Sequence, residues 1–492
     1  MTPAVMIAGT GSDAGKSLVV AGLARAFARR GIKVRPFKAQ NMSNNAAVSA
    51  TGAEIARAQA LQARAAGVTP TADMNPVLLK PEGDGHAQLV IAGAVKGRVR
   101  PRQWRAIRDE LLAAATAAFA RVSADAELML AEGAGSVAEV NLRESDVANF
   151  GFAEAANVPM ILVTDVERGG AIAALVGTHA LLSPADRSRI KGFIINKFRG
   201  DVSLFAPAVK EIEERTGWTC FGILPYVSAA ERLPAEDSLA LSRSTPATTP
   251  HRGDRILVAV PRLPRLANFD DLDPLLAEPE LAVEMIPPGR PIPAAAALVV
   301  LAGSKATLSD LEALKAEGWD VDIHAHVRRG GRVIGVCGGY QMLGKTVADP
   351  DGIEGKAGST DGLGLLDVET VMGRDKTLGE TRGRAVALAG TPPVTGYEIH
   401  LGRTSGPGLG RPMLELAAGP DGAVSADGRV MGCYLHGLFS SDAFRAELLK
   451  SLGGQSHVSD YERSVDTALD ELADACERHL ALDRVLEVAG GR

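Results

Sequence analysis

Two short segments carry residue types able to do chemistry. Residues 9–17 read Gly-Thr-Gly-Ser-Asp-Ala-Gly-Lys-Ser and follow an apolar run. A glycine-rich turn between a strand and a helix gathers backbone N–H groups and a helix N-terminus around an anion. Here Gly15 shapes the turn, Lys16 would neutralise β- and γ-phosphates, and the Ser17 hydroxyl would bind Mg²⁺, so ATP is the expected ligand. The strict phosphate-loop pattern has glycine at position 10, where this chain has Thr10 and carries Gly9 one place earlier. Residues 333–341 read Val-Ile-Gly-Val-Cys-Gly-Gly-Tyr-Gln. An unperturbed thiol has a pKa of about 8.5, so Cys337 needs a base or a dipole to act as a nucleophile. Gly338 and Gly339 permit a sharp strand-to-helix turn. Such a turn lifts the sulfur out of the sheet, near backbone N–H groups that can hold an oxyanion. Gly303, at the end of another apolar run, is a candidate second oxyanion donor. His436, in Gly-Cys-Tyr-Leu-His-Gly at 432–437, is the candidate base.

Mg²⁺ requires hard oxygen ligands. Glu132 ends the apolar run 128–131 and is followed by Gly-Ala-Gly, which places it at the strand edge where open α/β sheets bind ligands. Ser17 and Glu132 are therefore the expected metal ligands. Asn196 and Lys197, just past the run 192–195, are placed to contact a purine base. The basic run 96–102, with Arg105 and Arg108, fits either attraction of a polycarboxylate or a solvated helix face and its leading loop. Cys433 precedes His436 by three residues, but on a strand the two would face opposite sides, which argues against a shared metal.

The elements around these segments set the fold class. The first half alternates apolar runs with helical patterns at 16–30 and 51–66, each ended by glycine, as in a parallel sheet wrapped by helices. A Pro-, Thr- and charge-rich stretch marks a linker at 243–254, which bounds a first domain at 1–242. Apolar strands resume at 256–260, 297–302 and 332–336 in a second α/β domain, 255–453. Residues 454–492 form a C-terminal helical extension, polar and amphipathic, expected to pack on the second domain or on a partner.

A length of 492 residues is too great for one core. A net charge of −6 argues against a nucleic-acid binder. No apolar run reaches the roughly 18 residues that would span a membrane, and the N-terminus enters a strand with no signal-peptide pattern. Four widely spaced cysteines fit reduced thiols and a cytoplasmic location.

Taken together, the segments resemble the cobyric acid synthase family. The likeness rests on Phe-Lys-Ala-Gln-Asn-Met-Ser-Asn-Asn at 37–45, Met-Asn-Pro-Val-Leu-Leu-Lys-Pro at 74–81 and Glu-Gly-Ala-Gly-Ser at 132–136. It rests equally on Asp-Val-Glu-Arg-Gly-Gly at 165–170, Asn-Lys-Phe-Arg-Gly-Asp at 196–201 and the runs 337–344, 396–402 and 434–439. The resemblance implies a dethiobiotin synthetase-like ATP domain joined to a class I glutamine amidotransferase domain. It implies amidation of four carboxylates of a corrinoid, adenosylcobyrinic acid a,c-diamide, with ATP and glutamine at each. Cys337 and His436 carry over as nucleophile and base, and Lys16, Ser17 and Glu132 as the ATP and Mg²⁺ set. Lys38 is similar to the lysine that reaches phosphate and substrate carboxylate in related synthetases, and Asp146 falls in a shared stretch that positions substrate or Mg²⁺. Most class I amidotransferases place a glutamate two residues after the histidine, where this chain has Leu438. What orients His436 is therefore open, with Glu398 a candidate. Two rivals are a sibling amidotransferase and a partition-type ATPase switch. The latter carries a lysine where this chain has Gly11, and it leaves the cysteine unexplained.

Overall fold

The computed structural model describes residues 2–83, 85–234 and 255–490, and the linker expected at 243–254 lies outside them. Six parallel strands form the first sheet in the order Thr219–Pro225, Ile190–Phe198, Met160–Asp165, Ala4–Gly9, Leu128–Glu132, Val34–Phe37. The central strands are buried along their whole length, which is why their sequences read as unbroken apolar runs. The second sheet runs Leu281–Ile286, Ile256–Pro261, Leu298–Leu301, Arg332–Val336, Val430–Cys433, all parallel. Ala423–Val424 closes its edge antiparallel. Among the described residues no helix is long and apolar enough to cross a membrane.

Helix α1 spans Lys16–Arg29. The helix expected at 51–66 begins six residues late, as α2, Arg57–Ala65. Gly52 takes φ +72° and the Ser49 hydroxyl accepts from the Ala53 N–H, so the chain turns before it can coil. Residues Glu54–Ala56 then pair antiparallel with Ala46–Val48. The basic run also departs from expectation. It lies largely on an exposed strand, Ala94–Val99, within a four-stranded sheet appended to the first domain.

The C-terminal stretch was expected against the second domain or a partner, and instead it packs on the first. Helix Tyr461–His479 buries Tyr461, Val465, Ala468, Leu469, Leu472 and Cys476, a three-to-four-residue spacing that makes one apolar stripe. These side chains join a core with Val19, Val20, Leu23 and Phe27 of α1. Gly22 permits the close approach, since a Cβ there would sit 2.6 Å from Cys476 Sγ. Arg25 and Arg29 pair with Asp470 and Asp474 at 2.8 and 2.7 Å along the rim.

Candidate active site

At the first site, strand Ala4–Gly9 runs straight into the loop and α1 leaves it. Gly15 has φ +91°, and a Cβ there would lie 2.2 Å from Asn196 Nδ2. That nitrogen donates to the Ala14 carbonyl at 2.9 Å. Asn196 thus braces the loop. Its neighbour Lys197 donates to the Asp13 carbonyl at 2.7 Å and pairs with Asp165 at 2.9 Å. Lys16 Nζ donates to the carbonyls of Gly11 and Gly135, so its ammonium is held across the loop mouth.

Glu132 is the hub of this site. It is fully buried, and its Oε1 accepts from Ser17 Oγ at 2.8 Å and from Lys38 Nζ at 2.7 Å. Its Oε2 accepts from Gln62 at 2.5 Å and from Gln59 at 3.3 Å. A buried carboxylate is tolerated only with such partners, and here it has one cation and three neutral donors. Lys16, Ser17, Lys38 and Glu132 therefore converge, while Gln59 and Gln62 were not singled out from sequence. Their signal was two glutamines three apart on an alanine-rich helix, which puts both on one face.

Asp146 stands apart from the hub. Its carboxylate accepts from the N–H groups of Ala148, Asn149 and Gly151, which ties down the turn that leads into the helix Phe150–Ala155. It lines the loop wall beside Gly135 and Ser136.

The second site is built on a strained turn. Cys337 has φ +52° and ψ −111° between strand Arg332–Val336 and helix Gly338–Leu343. A non-glycine residue in such a region costs about 1–3 kcal/mol and persists where function needs the side chain aimed. Cys337, His436 and Gly303 line one cavity of about 850 Å³ between the two domains. The opposite wall comes from the first domain, with Lys80, Gln88 and Arg98. None of the cations here faces it without a partner: Lys80 and Lys376 pair with Glu54, and Arg98 and Lys305 pair with Glu82. Arg98, from the basic run, also donates to the Gly352 carbonyl and so bridges the domains.

The residue that holds His436 is Asp271. Its Oδ2 lies 2.7 Å from His436 Nδ1, and its Oδ1 accepts from the Gly437 N–H at 2.7 Å. Both side chains are almost wholly buried. Burial pushes the imidazolium down, but the Asp271 carboxylate and Cys337 more than offset it, and His436 titrates well above its ordinary value. Glu398, the candidate from sequence, lies instead 3.7 Å from His400. Cys433 is wholly buried on its strand, where burial drives its thiol well above the usual range. Among the described residues no group of His, Cys, Asp and Glu is arranged to hold a metal by itself.

Known proteins share both halves. Residues 5–240 match the model of the CobQ/CobB/MinD/ParA nucleotide binding domain, and residues 257–444 that of the CobB/CobQ-like glutamine amidotransferase domain. The chain is 56% identical over 489 residues to the cobyric acid synthase of Methylobacterium nodulans, covering 99% of each. It is 56% identical to that of Cereibacter sphaeroides, across 99% of this chain and 100% of the relative. With that of Brucella suis it shares 53% over the same fractions.

Proposed function

Because the chain belongs to the cobyric acid synthase family of glutamine-dependent amidating ligases, we propose that it converts the b, d, e and g carboxylates of adenosylcobyrinic acid a,c-diamide to amides. The nitrogen comes from glutamine and the driving force from ATP. The observation that carries this reading is full-length similarity to cobyric acid synthases in a chain that holds both a buried Lys38–Glu132–Ser17 hub and a Cys337–His436–Asp271 array.

A carboxylate resists attack because its charge is delocalised, so it must first be activated. Lys16 and Lys38 stand where they neutralise charge as a phosphoryl group passes from ATP to the substrate oxygen. Ser17 Oγ and Glu132 Oε1 are hard oxygens 2.8 Å apart at the phosphate loop, which fits the donor chemistry of Mg²⁺. Bound there, the ion would neutralise the β- and γ-phosphates. In the second site His436, held by Asp271, titrates well above its ordinary value and so holds the proton it takes from the Cys337 thiol. The thiolate attacks the glutamine amide carbon, His436 gives its proton to the leaving nitrogen, and ammonia departs. Water then cleaves the thioester to release glutamate and restore the thiol. Ammonia attacks the acyl phosphate and expels inorganic phosphate, so each cycle consumes one ATP and one glutamine.

The test is mass spectrometry of adenosylcobyrinic acid a,c-diamide incubated with the protein, Mg²⁺, ATP and glutamine. Stepwise appearance of one to four new amides supports the reading. An unchanged corrinoid, with glutamine or ATP still hydrolysed, would move the substrate to another acid and favour a sibling amidotransferase.

A further inference from the structure

Helix α2 touches both chemical centres. At one end Gln62 Nε2 donates to Glu132 at 2.5 Å and to the Ser17 carbonyl at 3.3 Å, and Gln59 donates to the same carboxylate oxygen. Both glutamines are buried. At the other end Arg57, the first residue of the helix, reaches across the domain boundary to Asp270 Oδ2 at 2.9 Å. Asp270 is buried, and its other oxygen has no hydrogen-bond partner among the described residues, so the guanidinium carries its compensation. The next residue in the chain is Asp271, which holds His436.

The turn that carries both aspartates is clasped by the first domain at two further points. Phe269 N–H donates to Asn45 Oδ1 at 3.2 Å, and Asn268 Nδ2 donates to the Ala46 carbonyl at 3.0 Å. The Asn45 carbonyl in turn accepts from the Arg57 N–H at 3.2 Å. The five residue steps from Arg57 to Gln62 span about 7.5 Å of helix, less than two turns. Gln59 and Gln62 share the Glu132 carboxylate with Ser17 and Lys38, so a ligand that moves this carboxylate changes what the two glutamines donate to. That change is delivered, through this short helix, to the residue beside the histidine's holder.

We propose that Arg57 is a positioning residue that couples occupancy of the phosphate-loop site to the glutaminase. Filling that site with ATP and corrinoid shifts α2, and the Arg57–Asp270 pair passes the shift to Asp271, which sets how His436 bears on Cys337. Glutamine is then hydrolysed only when an acceptor is ready. This inference rests on the amidation reading above.

The experiment uses the full chain and its Arg57→Met and Arg57→Lys variants. Glutaminase kcat and KM are measured alone and with ATP, Mg²⁺ and the corrinoid diamide. Alkylation of Cys337 by a glutamine-like electrophile is timed under the same conditions, with ammonia-driven amidation as the control. Couplings of this kind amount to about 5- to 150-fold. The parent is expected to show stimulation in that range, in kcat rather than KM, and the same acceleration of alkylation. Arg57→Met is expected to lose the stimulation while retaining ammonia-driven amidation, and Arg57→Lys to restore it. An unstimulated parent, or an Arg57→Met protein stimulated like the parent, overturns the proposal. If Arg57→Met loses both reactions, Arg57→Lys decides: recovered stimulation supports the coupling, and loss of ammonia-driven amidation there as well overturns it. Failure of ammonia-driven amidation in the parent instead refutes the amidation reading itself.

Discussion

Replacing Asp271 by Asn removes one charge and keeps the shape. The structure dictates how the new amide must sit. Asp271 Oδ1 accepts from the Gly437 N–H at 2.7 Å, so the amide oxygen takes that side and the NH₂ group faces His436 Nδ1. Nδ1 then becomes an acceptor, the ring's proton moves to Nε2, and the imidazole can no longer take a proton from Cys337. A buried hydrogen bond to a charged group is worth about 1.5–3 kcal/mol, which alone slows the reaction about 10- to 150-fold. The wrong tautomer adds to this, and the corresponding swap in a serine-protease triad costs about 10⁴-fold. Glutaminase kcat/KM of Asp271→Asn should therefore fall at least about 10²-fold, with ammonia-driven amidation retained. The pH profile gives a second readout. The charged form of His436 is stabilised in the folded protein, an effect fully present below its ordinary pKa of about 6.5 and lost as pH rises through its raised folded value. Removing the Asp271 charge takes away the largest cause that raises that value, so the alkaline limb of glutaminase activity should move to lower pH. An Asp271→Asn protein with parental glutaminase activity, or with an unmoved alkaline limb, would refute the assignment.

Cys337→Ala should abolish glutamine-driven amidation and spare the ammonia-driven reaction; loss of both, followed by corrinoid mass, would make the cysteine structural. Lys38→Met should abolish amidation from either nitrogen source. It should also lower the melting temperature in calorimetry, because stranding one partner of a buried ion pair costs about 3–5 kcal/mol. Gly22→Ala places a Cβ 2.6 Å from Cys476 Sγ and 3.0 Å from Leu472 Cγ. It should destabilise by about 1–3 kcal/mol in denaturant titration, and less than additively once Cys476→Ala removes the nearer clash.

What was legible from sequence was local. A strand, a glycine turn and a helix are written within a dozen residues, so Lys16, Ser17 and Cys337 could be placed on their turns without knowing the rest. Glu132 was readable for the same reason, as the polar end of an apolar strand. Asp271 was not, because it lies 165 residues before its histidine, in a short irregular segment with acidic neighbours at 270 and 273. Nothing in its vicinity has a period, whereas Glu398 lies on a strand nearer to His436 in sequence. The late start of α2 has a similar cause. Glu54 reads as a helix former, yet its carboxylate is buried against Lys80 and Lys376, a tertiary demand that outweighs propensity. The docking of the C-terminal helix on α1 required knowing that Gly22 opens a groove, and a lone glycine inside a helical pattern gives no such signal.

The central claim is that nitrogen freed at Cys337 is the nitrogen placed on the corrinoid by the same chain. The most direct measurement supplies glutamine labelled with heavy nitrogen in its side-chain amide, together with unlabelled ammonium at neutral pH, and reads the isotope in each new corrinoid amide by mass spectrometry. The account predicts product amides that carry the glutamine label despite the competing ammonium, and none of that label with Cys337→Ala. Amides that follow the isotopic composition of the bulk ammonium in the parent protein would contradict it.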